Sequence, residues 1–161
     1  MELRDYADRD AALTGELECD PEVMRYLGGP IPRDRIPAIH ERRLRSSADG
    51  GWWLVIVPEP AGPPAGTIGI WKGELDGEAI NEVGWMLLPR FQGRGIAGAA
   101  LTLLLARARG EERFFPLHAF PGEANPASNA LCRRHGFEMI GTMDGGYGGN
   151  EFTCNHWILD R

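Results

Sequence analysis

A glycine-rich loop between a predicted strand and a predicted helix constrains this 161-residue chain more than any other feature. The strand is Ile80–Leu88, the helix is Gly95–Arg109, and Gln92-Gly93-Arg94 lies between them. The first N–H groups of a helix have no partners within it and lie at the positive end of its dipole. Glycines lack a Cβ, so an anion can approach the backbone closely. The segment therefore predicts a phosphate-binding loop.

Two other phosphate-binding motifs fit the loop poorly. Residues 93–98 spell G-x-G-x-x-G, the fingerprint of dinucleotide-binding proteins, which requires an acidic residue about 20 positions further on. The chain has no Asp or Glu at Pro116–Phe120, where that residue is expected. A Walker loop is excluded because no Gly-Lys-Ser/Thr occurs. A nucleotide-binding oxidoreductase is therefore a disfavoured alternative.

The other predicted elements follow from residue composition and from glycine and proline breaks. Before the loop, the sequence predicts strands Glu2–Arg4, Trp52–Val57 and Thr67–Lys72 and helices Glu22–Leu27 and Arg33–Ser47. After it come strand Arg113–Phe120, helix Ser128–His135, and strands Phe137–Met143 and Phe152–Leu159, joined by a flexible stretch, Asp144–Asn150. The strands between residues 52 and 88 are joined by short polar turns, which implies an antiparallel meander. The order predicts one α/β (α+β) domain spanning residues 1–161.

Composition excludes several classes of protein. The net charge of −6 argues against binding to nucleic acid, although a basic cluster at Arg33–Arg45 is interpreted as the solvated face of a helix. The three cysteines match neither a disulfide framework nor a zinc knuckle, and the four histidines show no metal-ligand spacing. The first residues do not resemble a signal peptide, and no apolar run approaches the ~18 residues of a membrane span. We therefore predict a cytoplasmic protein without a metal.

Two motifs carry a resemblance to a known family. Gln92-Gly93-Arg94-Gly95-Ile96-Ala97 resembles the Q/R-x-x-G-x-G/A signature of the GCN5-related N-acetyltransferase (GNAT) superfamily, in which this loop carries the pyrophosphate of coenzyme A. The segment from Asn125 to Phe137 resembles the N-x-x-S…G-F motif, and is closest to the branch of the ribosomal-protein N-terminal acetyltransferases. The resemblance implies a mostly antiparallel mixed sheet flanked by helices. It also implies direct transfer of an acetyl group from acetyl-CoA to a primary amine in a ternary complex.

The resemblance assigns roles to residues around the cosubstrate. Backbone groups of Met86 and Leu87 would pair with the pantetheine arm and polarise the thioester carbonyl. The pyrophosphate would be surrounded by Gln92, Gly93, Arg94, Gly95, Ile96 and Ala97. Asn125 and Ser128 match positions that contact coenzyme A, although Ser128 is also a good helix N-cap.

The catalytic residues are less clearly marked by the sequence. An amine acceptor is mostly protonated at neutral pH, so a base must remove a proton, and Glu82 on the strand before the loop is the candidate. Many family members use a tyrosine to protonate the leaving thiolate, and this chain has Cys132 at about that position. A packed core cysteine is the alternative interpretation. Tyr147 is a weaker candidate for proton transfer or for lining the acceptor mouth.

The sequence leaves the acceptor open. Candidates are a small-molecule amine or a protein N-terminus, approached by loops Gly28–Arg35 and Asp144–Asn150. A non-catalytic acyl-CoA sensor on the same fold is the alternative function, because folds host several functions. The final strand pair is a possible homodimer contact.

Overall fold

One seven-stranded sheet organises the chain, and its strands lie in the order β1-β2-β3-β4-β5-β7-β6. The structure is a computed structural model that describes residues 1–161. Its strands are β1 (Glu2–Asp5), β2 (Trp52–Val57), β3 (Gly66–Leu75), β4 (Glu78–Leu87), β5 (Leu117–Ala119), β6 (Glu138–Tyr147) and β7 (Asn150–Leu159). Its helices are α1 (Ala11–Glu18), α2 (Pro21–Met24), α3 (Ile36–Ala48), α4 (Ile96–Ala108) and α5 (Pro126–Arg134). The predicted α/β fold with a mostly antiparallel sheet flanked by helices is confirmed.

The sheet opens between β4 and β5, its only parallel pair of strands. These strands pair only at Asn81↔Leu117 and Glu82↔His118. Beyond His118 the chain follows β7 instead, first in the pair Ala119↔Trp157 and then through a bridge from Gly122 to Cys154. β4 meanwhile continues to Leu87 with β3 on one side only. The two strands therefore diverge and leave an open space between them.

The two faces of the sheet have separate hydrophobic cores. β2 shows the alternation that divides them: Trp52, Leu54 and Ile56 belong to the main core with α4, whereas Val55 and Val57 pack with Leu13 and Leu17 of α1. This alternation is expected because successive side chains of a strand point to opposite faces. A third, small cluster of Met24, Ile31 and Ile39 lies beside α2 and α3.

α4 forms where the Ala- and Leu-rich composition predicts a helix. Its buried side chains recur at helical spacing on one face: Ile96, Ala100, Leu101, Leu104, Leu105 and Ala108. Gly95 is the N-cap, with φ of 74°, so it precedes the first helical residue rather than being one. No helix is both long and apolar enough to cross a membrane.

The prediction that Asp144–Asn150 is a flexible stretch is wrong. β6 continues to Tyr147 and pairs with β7 up to Tyr147↔Asn150, so only Gly148 and Gly149 form the turn. Gly145 fits in a strand because cross-strand side chains occupy the space of its missing Cβ atom. A Cβ on Gly145 would lie 3.0 Å from the Cys154 Sγ atom and 3.4 Å from the Phe152 ring.

Other predicted boundaries also change. β5 has three residues instead of the predicted Arg113–Phe120, because Glu112–Phe114 forms a 3-10 turn and Pro116 lacks the N–H that a strand ladder uses. Helix α2 ends at Met24 rather than Leu27, with Gly28 and Gly29 at positive φ after it. A 3-10 turn at Arg33–Arg35 precedes α3.

Candidate active site

A cavity of about 990 Å³ occupies the opening between β4 and β5. The glycine loop and the first turns of α4 and α5 line one end of it. Residues of α2 and of the β6–β7 hairpin line the opposite end, on the other face of the sheet. The cavity therefore passes through the sheet, with room for a long ligand at the α4 end and a second ligand at the α2 end.

The glycine loop presents unbonded backbone N–H groups to this cavity. Gly93 and Gly95 both adopt positive φ, 69° and 74°, a conformation that glycine adopts without strain. The N–H groups of residues 93–98 donate to no acceptor within the chain, and no side chain caps α4. A Cβ on either glycine would meet no atom within 4 Å, so the space in front of them is open. Six consecutive free donors at a helix N-terminus are an arrangement that favours anions.

Side chains of the loop differ in their orientation. Gln92 lines the cavity, and its Nε2 atom donates to the Leu87 carbonyl over 2.9 Å, which holds the loop against the end of β4. Arg94 lies outside the cavity lining, with its guanidinium 5.9 Å from the centre of the Phe91 ring. Ile96 is buried in the main core, and Ala97 packs against that core. The loop therefore offers a ligand backbone donors more than charge.

β4 supplies the wall between the two ends of the cavity. Met86 and Leu87 line it, and both pair with β3 on their other side, in Gly66↔Leu87 and Thr67↔Met86. Gly66 is required there, because a Cβ would lie 1.9 Å from the Met86 carbonyl oxygen. The β4 edge that faces the cavity has no strand partner beyond Glu82.

Asn125, not Ser128, caps α5. The Asn125 side chain accepts from the Ser128 N–H over 3.1 Å, so the predicted cap is displaced by three residues. Asn at this position suits the cap because its short side chain reaches back to the first turn. Asn129 anchors the helix to β7 by accepting from the Trp157 indole N–H over 2.8 Å. Asn125 and Ser128 both line the cavity.

Glu82 lies where β4 and β5 separate, and it lines the cavity. It is opposite Trp71 on β3 and His118 on β5. Burial raises the pKa of Glu82 from 4.5 to about 7, while Trp71 and the charge of Arg42 oppose that shift. A carboxylate with this pKa exchanges protons at neutral pH, as a general base must.

Tyr147 lines the cavity, but its hydroxyl is already engaged. It donates to Glu18 Oε1 over 2.8 Å, and the same carboxylate is paired with Arg43. Burial, and then the Glu18 charge, raise the pKa of Tyr147. Tyr147 thus stays protonated at neutral pH and forms part of the wall.

The two buried cysteines of the region lie in different environments. Cys132 is wholly buried in the main core and is not part of the cavity lining, and burial raises the pKa of its thiol to about 12. The structure therefore does not bring Cys132 to the place where a leaving thiolate would form. Cys154 does line the cavity, and burial followed by the charges of Glu82 and Asp144 raises the pKa of its thiol.

His118 packs rather than pointing freely into the cavity. Its Nδ1 atom lies 2.8 Å from His156 Nε2, and both rings stack with Phe120. Burial lowers the pKa of both imidazoles. No group of three or more His, Cys, Asp or Glu side chains is arranged to hold a metal ion.

Sequence reasoning missed Arg43, which is wholly buried and lines the cavity. Its guanidinium bonds Glu18 and Thr14 and lies 4.6 Å from the Trp53 ring, which stacks on Trp71. The spacing in the sequence indicates that Arg43 is on the inner face of α3, because it follows Ile36 by seven residues and Ile39 by four. The prediction that the basic cluster at Arg33–Arg45 is the solvated face of a helix is therefore wrong at Arg43.

The sequence of the chain resembles those of known proteins. Residues 1–138 match the model of the acetyltransferase (GNAT) domain family. Among curated proteins, YkkB of Bacillus subtilis (strain 168), described as uncharacterized, is 28% identical over 145 residues, 89% of this chain and 84% of YkkB.

Solved structures share the fold at lower identity. The GNAT superfamily phosphinothricin acetyltransferase of Sinorhizobium meliloti, in complex with AcCoA, is 23% identical, with a TM-score of 0.79 over 99% of this chain and 87% of that one. The ribosomal-protein-alanine N-acetyltransferase of Brucella melitensis is 22% identical, with a TM-score of 0.79 over 100% of both chains.

Proposed function

Since the chain belongs to the acetyltransferase (GNAT) family, we propose that it transfers the acetyl group of acetyl-CoA directly to a primary amine of a small molecule or a protein N-terminus. One observation carries the proposal: the free N–H groups of residues 93–98 open into a cavity that passes through the sheet beside Glu82. A neighbour of the same fold, the phosphinothricin acetyltransferase of S. meliloti, was solved with AcCoA, which supports this choice of cosubstrate.

The lining of the cavity supports coenzyme A as its ligand. The pyrophosphate would lie against the loop Gln92–Ala97, with Gly93 and Gly95 leaving it room. Such a site needs few cationic side chains because backbone donors and the helix dipole stabilise the anion. Asn125 and Ser128 would contact the coenzyme from the opposite wall. The unpaired edge of β4 at Met86 and Leu87 would hold the pantetheine arm as an added strand does.

Glu82 would act as the base of the reaction. Bound acetyl-CoA would supply an acetyl group activated as a thioester: a neutral amine attacks its carbonyl carbon, the C–S bond breaks, and coenzyme A leaves as its thiolate, which takes a proton from solvent. The acceptor arrives mostly as an ammonium ion, so Glu82 would accept its proton, directly or through water. Backbone N–H groups on the free edge of β4 would stabilise negative charge on the carbonyl oxygen.

Direct transfer is supported by the state of the cavity cysteine. A thiolate, not a thiol, is the nucleophile in covalent catalysis, and the raised pKa of Cys154 keeps its thiol protonated. Cys132 is buried away from the cavity and is not included as an acid in this proposal. Tyr147 would shape the acceptor end while its hydroxyl remains bonded to Glu18.

The loop assignment is tested with a matched pair of glycine substitutions. Gly95 and Gly77 both adopt positive φ, 74° and 83°, and a Cβ on either meets no neighbour within 4 Å. Gly95→Glu and Gly77→Glu therefore add the same charge and a similar backbone strain of about 1–2 kcal/mol. We expect calorimetry to show acetyl-CoA binding by wild type and Gly77→Glu but none by Gly95→Glu. No binding by folded wild type, with NAD as the comparison ligand, would refute the proposal.

The role of Glu82 is tested by pH dependence. With a pKa of about 7, the deprotonated base is lost as pH falls through 7, so kcat/KM should decrease on that side. Glu82→Gln should lose activity by about 100-fold and lose this limb of the profile, while acetyl-CoA affinity is kept. Free thiol released from acetyl-CoA in the presence of an amine measures the rate. An unchanged profile in Glu82→Gln would assign the base elsewhere.

A further inference from the structure

The acceptor end of the cavity is covered by a bridge, which we define as residues 21–29. The bridge begins with α2, capped by Asp20, whose side chain accepts from the Glu22 and Val23 N–H groups. Val23 packs against the cluster that contains Val55 of β2 and Leu88 after β4. The bridge is therefore attached at its start to the β2–β4 half of the sheet.

The end of the bridge is attached to the other half of the sheet. Asn150 Nδ2 on β7 donates to the Gly29 carbonyl over 2.9 Å. The backbones approach so closely that a Cβ on Gly28 would lie 2.6 Å from the Asn150 Cβ. A Cβ on Gly122, in the β5–α5 connection, would lie 2.3 Å from the Tyr26 carbonyl oxygen. The bridge thus crosses the opening between β4 and β5 and contacts both halves.

The hairpin tip reinforces this closure. Arg35 Nη1 donates to the Gly148 carbonyl over 2.8 Å, and Gly148 lies against Ile31 so closely that a Cβ would be 2.1 Å from its Cδ1 atom. The segment after the bridge and the turn between β6 and β7 are therefore held together. A polypeptide chain entering at this end would have to displace these contacts.

The space beneath the bridge is mainly aromatic and apolar. Its lining includes Tyr26, Trp71, Phe120, Met143 and Phe152, each partly buried and facing the cavity. Trp71 is fixed because it stacks on Trp53 at 4.7 Å and lies across Gly84, where a Cβ would be 2.6 Å from its ring. Aromatic faces attract both apolar groups and cations.

Acidic side chains without an ion-pair partner lie in this space. Arg43 is neutralised by Glu18, and Arg25 lies over the Tyr26 ring at 4.5 Å. Glu82, in contrast, forms no ion pair, and the exposed Asp144 lies at the rim. An ammonium group beside Glu82 would therefore meet an unpaired carboxylate and aromatic faces.

We infer that the acceptor is a small cationic amine carrying an apolar body, and that a polypeptide N-terminus is not the substrate. The inference rests on the proposed function and narrows its acceptor. The amino group would lie at Glu82, and the apolar body would pack against Trp71 and Phe152 beneath the bridge. A peptide would need room for an extended backbone, about 3.3 Å per residue, and partners for its amides, which the bridge and the aromatic lining do not provide.

Acetyl transfer to three probes tests this inference: phenethylamine, ethylamine and an alanine-rich peptide with a free N-terminus. We expect kcat/KM for phenethylamine to exceed that for ethylamine and for the peptide by about 10- to 100-fold, because neither of the other two probes buries a phenyl group. Phe152→Ala should lower kcat/KM for phenethylamine about tenfold or more and leave ethylamine nearly unchanged. Ile140→Ala, at a residue 59% exposed on the adjacent strand, is the control and should change neither.

The outcomes separate this inference from the proposed function. Preferential acetylation of the peptide, or no turnover of either amine by protein that binds acetyl-CoA, would overturn the acceptor assignment. Equal losses for phenethylamine and ethylamine in Phe152→Ala would also overturn it, because the phenyl group would then not pack there. Failure to bind acetyl-CoA would refute the proposed function itself.

Discussion

Arg43→Met is expected to destabilise the protein far more than the same change at Arg45, which lies two residues further along α3. The side chains of Arg43 and its partner Glu18 are both 0% exposed. Removal of Arg43 would leave Glu18 charged in the interior with only the Tyr147 hydroxyl as donor, because Glu18 Oε2 has no partner even now. Breaking a buried ion pair from one side costs about 3–5 kcal/mol.

Arg45 provides the matched control on the same helix. It pairs with Glu41 in an i,i+4 contact of 2.9 Å, but the two side chains are 64% and 67% exposed. Such a pair contributes about 0.3–0.5 kcal/mol, since water screens the charges. Arg45→Met therefore removes the same chemical group as Arg43→Met, but it should lower the free energy of unfolding by only a small fraction of the amount.

Urea denaturation measures both variants. With a slope of about 1–3 kcal/mol per molar urea, Arg43→Met should lower the midpoint by about 1–5 M, and Arg45→Met by less than about 0.5 M. Glu18→Gln combined with Arg43→Met should recover part of the loss, because no unpaired charge then remains buried. Equal, small losses for both single variants would refute the reasoning that this ion pair holds α1 and α3 together.

Three further predictions concern pH and local structure. Burial raises the pKa of Glu82 from 4.5 to about 7, so the folded protein binds an extra proton between pH 4.5 and 7. The contribution of Glu82 to stability therefore falls as the pH rises through this range. Glu82→Gln should flatten the fall when it is measured by thermal unfolding. Asn125→Ala should lower stability by about 1 kcal/mol and Ser128→Ala by less than about 0.5 kcal/mol in the absence of ligand, with comparable losses arguing against Asn125 as the cap. Gly66→Ala should prevent folding or lower the unfolding temperature sharply, whereas Gly141→Ala, where a Cβ meets nothing within 4 Å, should be tolerated in the same thermal scan.

Elements whose signals are local were predicted well. α4 was found because its Ala- and Leu-rich composition and its flanking glycine act within a few residues. Elements that depend on a partner strand were predicted less well. The glycines after Met143 predicted a loop, yet Gly145 and Gly146 lie in β6, where they pair with β7 and where Phe152 and Cys154 fill the space beside Gly145.

The same contrast holds for the candidate site. Glu82 was predicted from its place before the loop, and the structure adds its burial and its position where β4 leaves β5. Cys132 was selected by its position in a motif, but the rotation of α5 on the sheet turns it into the core. Arg43 was assigned to solvent because a charged residue is usually exposed, and its partner Glu18 is remote in sequence.

The sequence by itself determined the glycine loop and its free donors, because free N–H groups at a helix start and glycines at positive φ are properties of adjacent residues. Only the tertiary structure decided what surrounds that loop. The divergence of β4 from β5, the bridge of residues 21–29, and the meeting of Glu82, Tyr147 and Cys154 in one cavity all depend on strand order and on contacts between distant segments. The physical reason is that pairing and packing act between surfaces, and the position of one segment relative to another is fixed only when the whole sheet has formed.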